Sequence, residues 1–144
     1  MVDEARFLFR LGRLEADLAE LSKRRGMSAR ELSSNLATRW SVERGLHVVI
    51  EGLLDLGEHI LSSDFCIQTT TYRETAVRMA EKGIVRDAAA TALPRLASFR
   101  NVLVHEYVRI DLEILARLLE EDIDALLLAA RDIRNREWTK PAGA

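Results

Sequence analysis

The chain has 144 residues, of which 48% are hydrophobic and 31% charged, and its formal net charge is -2. That length carries one domain with its own apolar core, and that charge excludes bulk attraction to nucleic acid, so a polyanion would need a local basic cluster. A single cysteine, Cys66, excludes an intrachain disulfide and a cysteine-only zinc site, which suits a cytoplasmic chain, and no apolar run reads as a signal peptide or membrane span.

Phe7, Leu11, Leu14, Leu18 and Leu21 recur at steps of four and three, so Asp3 to about Lys23 reads as an amphipathic helix. Gly26 is its expected stop, and Ser28 with Glu31 forms a capping box for the next segment. Residues 28–62 read as two helices or one kinked helix, with Leu46, Ile50, Leu53, Gly57 and Ile60 facing the core. Gly45, Gly52 and Gly57 cost helix propensity there, and close approach of another helix is the expected return. "SSDFCIQTTT" reads as a loop, and a short helix from Tyr72 closes at Gly83. The stretch from Val85 to Tyr107 reads as a further helix in which Pro94 should impose a kink or a break. Asp111 caps a final helix with its stripe at Leu112, Leu115, Leu119, Ile123, Leu126, Ala130 and Ile133. No strand-like alternation or repeat appears, so the expectation is an all-α bundle of four to five helices, one domain over 1–138 with a tail at 139–144.

Chemistry concentrates in "FRNVLVHEY", residues Phe99 to Tyr107. Arginine presents a planar fork of donors matched to phosphate oxygens, and histidine exchanges protons near neutral pH. Five helical positions span about 140°, so Arg100 and His105 converge only if the helix ends near Leu103 or a second protomer completes the site. The plain alternative is a surface ion pair at Arg100 and a helix cap at His105. Glu51, Asp55 and Glu58 share one helix face, and Asp55 with His59 could hold a divalent metal, although a solvated polar face explains them as well. His47 fills a helix face, Trp40 and Trp138 read as core or interface anchors, and "KRRGMSAR" reads as a solvated helix terminus or a phosphate contact.

"FRNVLVHEY" resembles the Arg-x4-His-x-Tyr motif of the HEPN superfamily and, more narrowly, of the HepT-like family. "SVERGLHVVIEGLLDLGEHIL" is similar to that family's long second helix, "TYRETAVRMAEKGIV" to the segment after its central loop, and "LASFRNVLVHEYVRIDLEIL" to the motif with its flanks. The resemblance implies an all-α homodimer and a metal-independent ribonuclease without cofactor, acting as a toxin beside a nucleotidyltransferase antitoxin of the MntA type. On that resemblance Arg100 and His105 match the catalytic pair, Asn101 the polar residue after the arginine, and Tyr107 the acceptor for AMP from the antitoxin. A two-fold dimer would bring two Arg100/His105 sets to one cleft, with Arg109 and Arg73 adding positive charge for RNA. The rival expectation is a non-catalytic HEPN subunit that uses the same stretch to bind a nucleotide or the partner.

Overall fold

The structure is a computed structural model that describes residues 3–105 and 110–136. The helices are α1 (Glu4–Ser22), α2 (Ala29–Ser34), α3 (Leu36–Phe65), α4 (Tyr72–Glu81), α5 (Asp87–Val104), α6 (Leu112–Glu121) and α7 (Ile123–Arg134), and the described residues contain no strand. Of the two readings of residues 28–62, the two-helix one holds, as α2 and α3, and the other expected helices correspond to α1, α4, α5 and the α6–α7 run. The one further segment comes from a one-residue interruption at Asp122, which divides the expected final helix into α6 and α7.

Local chemistry explains most boundaries. The Asp3 carboxylate accepts from the Arg6 amide and opens α1, and the Ser28 hydroxyl accepts from the Glu31 amide and opens α2. Asn35 takes an extended conformation (φ -137, ψ 103) and accepts from the Thr38 amide, which separates α2 from α3. Helix α3 then continues to Phe65, three residues past the expected start of the loop, and stops where Cys66 turns left-handed at φ 54. Pro94 does not divide α5, which runs from Asp87 to Val104 as one helix. Its missing donor costs one rung of the ladder, and buried Leu93, Leu96 and Ala97 around it hold the helix against the core.

Helix α3 is the common support: α1, α4, α5 and α7 all pack against it. All five stripe residues of α1 are buried, as are Leu46, Ile50, Leu53 and Ile60 of α3. Each such leucine or isoleucine stabilises the fold by roughly 1.5–3 kcal/mol relative to an exposed one. The close approach is tightest at Gly57, where a Cβ atom would lie 2.1 Å from the Met79 sulfur of α4. At Gly52 the neighbour is Leu14 of α1, 3.1 Å from such an atom. One stretch of α3 thus faces the leucine stripe of α1, and α4 and α5 close over its polar face. Trp40 is 60% exposed and is not a core anchor, while Trp138 lies outside the described residues.

Candidate active site

Arg44, His47, Glu51, Asp55 and Glu58 follow one another along α3 at steps of three, four, four and three, which aligns them on one face. The last turn of α5 meets this face at Arg100. Its Nε and Nη2 both donate to Glu51 Oε2, at 3.2 and 3.0 Å, and its Nη1 donates to Asn101 Oδ1 at 3.3 Å. The guanidinium also lies over the Tyr72 ring of α4, 4.8 Å from its centroid. Tyr72 in turn donates its hydroxyl proton to Asp55 Oδ1 at 2.8 Å. Three helices therefore fix one arginine.

The same Glu51 oxygen is 2.5 Å from His47 Nε2, and His47 Nδ1 is 3.1 Å from Arg44 Nη1. Arginine can only donate, so Nδ1 accepts and the neutral ring carries its proton on Nε2, aimed at Glu51. Partial burial alone would raise the Glu51 carboxyl, but hydrogen bonds from Arg100 and His47, with the positive charge of Arg100, hold it below the ordinary carboxylate range. Tyr72 moves the other way. Partial burial, the bond to Asp55 and the negative charge of Asp55 and Glu51 push its phenol well above the ordinary range, against the opposing pull of Arg100. Tyr72 thus keeps its proton on Asp55 and presents its ring face to the Arg100 guanidinium.

His105 sits where α5 ends. Its backbone leaves the helical path (φ -83, ψ 108), its N–H closes the helix on the Val102 carbonyl at 3.3 Å, and its side chain is exposed. The expected cap is present in the backbone, and the imidazole remains available to solvent. No hydrogen bond joins His105 to Arg100 or Asn101. Asn101 is exposed, and its amide oxygen faces Arg100. Beside it a cleft of about 330 Å³ opens between α3, the start of α4 and α5, walled by Asn101, Tyr72, Glu58 and the threonines at 69, 70, 71 and 75. Tyr107 and Arg109 lie outside the described residues. Arg73 is exposed and donates to Ser98 Oγ at 3.1 Å.

The Asp55–His59 metal pair is not assembled. Asp55 is taken by Tyr72, and the His59 ring stacks on Phe7 with centroids 6.5 Å apart. Among the described residues no group of three or more His, Cys, Asp or Glu side chains could hold a metal ion. Cys66 is an exposed free thiol at the helix end. Two of the four cations in the basic stretch after α1 are paired, Lys23 with Glu20 at 2.9 Å and Arg25 with Asp124 at 2.6 Å. His47 and Tyr72 were not visible as site members from the motif. His47 had a usable signal, since it stands one turn before Glu51. Tyr72 comes from another helix and had none.

Residues 14–133 match the sequence profile of the family described as Ribonuclease HepT-like. Three solved structures share the fold. The tri-AMPylated HEPN toxin of Shewanella oneidensis, in complex with MNT antitoxin, superposes with a TM-score of 0.79 at 15% identity, covering 94% of this chain and 100% of that one. A toxin–antitoxin complex with AMP-PNP gives 0.73 at 15% identity, covering 88% and 98%. YutE of Bacillus subtilis, a cytosolic protein of unknown function, gives 0.77 at 22% identity, covering 92% and 89%. No curated protein matches the sequence. None of the helices among the described residues is long and apolar enough to cross a membrane.

Proposed function

Because the chain belongs to the Ribonuclease HepT-like family, we propose that it is the toxin of a toxin–antitoxin pair, a dimeric endoribonuclease that cuts RNA without a metal. The observation that carries this reading is the end of α5, where Arg100 and Asn101 occupy the last helical turn and His105 leaves it with an exposed imidazole. RNA cleavage of this kind requires a base for the 2'-hydroxyl, an acid for the 5'-oxygen and positive charge near phosphorus. In a two-fold dimer one His105 takes the 2'-proton as the 2'-oxygen attacks phosphorus. The second His105 gives its proton to the departing 5'-oxygen, leaving a 2',3'-cyclic phosphate and a 5'-hydroxyl. Arg100 compensates the charge that builds on the phosphoryl oxygens, and Asn101 helps to orient them.

The partner in this reading is a nucleotidyltransferase antitoxin that transfers AMP to Tyr107. That residue is two positions from His105, so the added nucleotide brings bulk and negative charge to the cleft and repels RNA. The relative of the same fold that is tri-AMPylated and bound to MNT antitoxin supports AMP transfer as the mode of control, and the choice of Tyr107 rests on the motif.

A second reading, a non-catalytic subunit that binds a nucleotide or the antitoxin, is favoured by one observation: the Arg100 fork already rests on Glu51. Purified, partner-free dimer in excess chelator separates the two. Wild type cleaves RNA, and His105→Ala and Arg100→Ala lose about a thousandfold in rate while remaining folded dimers. Full activity in either variant refutes the site. Absence of cleavage by unmodified wild type across a broad RNA panel refutes the nuclease.

A further inference from the structure

We infer that the cleft beside Asn101 is a base-recognition subsite for the nucleotide next to the scissile phosphate, and that it selects guanine over uracil. The inference rests on the ribonuclease reading for its substrate and on the cleft itself for its chemistry. The cleft begins where the phosphate site ends, because Asn101 and Tyr72 belong to both: each touches Arg100 and each lines the cleft. A volume of about 330 Å³ is at the small end of ligand pockets, the size for one nucleoside and not for a longer segment.

Its walls argue against phosphate and for a base. No lysine or arginine lines it, and its one charged group is the Glu58 carboxylate. Glu58 is exposed and has no hydrogen-bond or ion-pair partner among the described residues. Four of the hydroxyls have already spent their protons internally. Thr70 donates to Glu74 at 2.9 Å and Tyr72 to Asp55 at 2.8 Å. Thr75 donates to the Thr71 carbonyl at 3.0 Å, which leaves Thr69 as the donor in its 2.6 Å bond to Thr75. What these groups still offer is lone pairs. The exceptions are Thr71, whose hydroxyl accepts from the Glu74 amide at 3.0 Å and keeps its proton, and the Asn101 amide, whose oxygen is occupied by Arg100 and whose NH2 is left to donate.

An acceptor-rich cleft with two donors, the Asn101 amide and the Thr71 hydroxyl, calls for a ligand rich in N–H groups that also carries a carbonyl. Guanine fits best: its N1–H and N2–H are two adjacent donors for the two oxygens of Glu58, and its O6 accepts from Asn101. Uracil offers a single ring N–H flanked by carbonyls, and those carbonyls would face the carboxylate and the threonine lone pairs. Unpaired acceptors of that kind are what make a polar pocket discriminate.

The test uses oligonucleotides carrying 2'-O-methyl groups except at one cleavable ribonucleotide, with guanine or uracil placed first in that ribonucleotide itself and then in its 3' neighbour, the two positions that flank the scissile phosphate. Guanine on one side should raise kcat/KM about tenfold over uracil, and Glu58→Gln should shrink that ratio below about threefold. Equal rates on both sides, or a preference that survives Glu58→Gln, overturn the inference. Binding is read separately from cleavage on the His105→Ala dimer, by following the threonine methyl resonances during titration with guanosine or uridine. Guanosine should move the Thr69, Thr70 and Thr75 methyls at lower concentration than uridine does. If wild type cuts nothing but guanosine still moves these methyls preferentially, the nuclease reading fails and the subsite stands. If wild type cuts and uridine binds as well as guanosine, the subsite fails alone.

Discussion

Helix α5 carries two arginines five residues apart, each on a carboxylate from another helix, and the two pairs are built differently. Arg95 sets Nη1 and Nη2 on separate oxygens of Asp122, at 3.0 and 2.7 Å. Asp122 is nearly buried, with its side chain 9% exposed, and it stands at the α6–α7 interruption. This is a fork-on-fork clamp that locks α5 to the end of the bundle. Arg100 instead places two nitrogens on one Glu51 oxygen, shares that oxygen with His47, and reaches Asn101 with the third nitrogen. The first pair satisfies both partners. The second crowds His47 and two arginine nitrogens onto one carboxylate oxygen and sets the guanidinium against Asn101 and the Tyr72 ring, gathering groups from three helices where the clamp joins one arginine to one carboxylate.

Breaking each pair in turn tests the contrast. The largest effect is expected for Arg100→Ala, with kcat/KM for RNA down about a thousandfold and the denaturation midpoint almost unmoved. Gly57→Ala comes next, because the new methyl group would meet the buried Met79 side chain at 2.1 Å. Pushing α4 off α3 should cost about 1–3 kcal/mol in a urea titration and loosen the Tyr72 platform under Arg100. Arg95→Ala should cost about 1–2 kcal/mol, since it strands the Asp122 carboxylate although Arg95 itself faces water, and cleavage should stay within about twofold of wild type. A large loss of cleavage in Arg95→Ala would erase the distinction between the pairs.

The smallest effect concerns pH. Glu51 is held below its ordinary value in the folded protein, so its contribution to stability is complete above the unfolded carboxyl value and is lost as pH falls through the folded one. Between about pH 6 and pH 3, wild type should lose up to about 1 kcal/mol more than Glu51→Gln in matched denaturant titrations. Equal losses in the two proteins would show that Arg100 does not depend on the charge of Glu51.

How much of this could be read from the sequence follows from where the interactions lie. The stripe of α1, the Ser28 cap and the Gly83 stop are local, and periodicity or a single side chain was enough to find them. Of the kink or break expected at Pro94 only the break is excluded, because a packed helix tolerates one missing rung, and the α3 end moved because Cys66 adopted a left-handed turn that no residue type announced. The motif located Arg100, Asn101 and His105, but their surroundings join positions 49 residues apart in the case of Glu51 and Arg100. The carboxylate face of α3 was legible as a face. That Glu51 serves Arg100, Asp55 serves Tyr72 and Glu58 serves neither depends on where α4 and α5 land, and no spacing within α3 encodes that.

The single oxygen on which Arg100 rests has a consequence for how RNA would arrive. An arginine that waits in water carries a small ion, and nucleic acid binding is driven partly by releasing ions of that kind from both surfaces. Arg100 carries a covalently attached one in Glu51. It contributes little field to the empty protein, so encounter falls to the remaining arginines and affinity for RNA should weaken less steeply with salt than the number of arginines at the site implies. A chain of net charge -2 with the residue proposed to meet phosphate neutralised in advance is poorly suited to collect polyanions at random. It is suited to respond when a phosphate is presented at close range, in the right orientation, by a nucleotide already seated beside it.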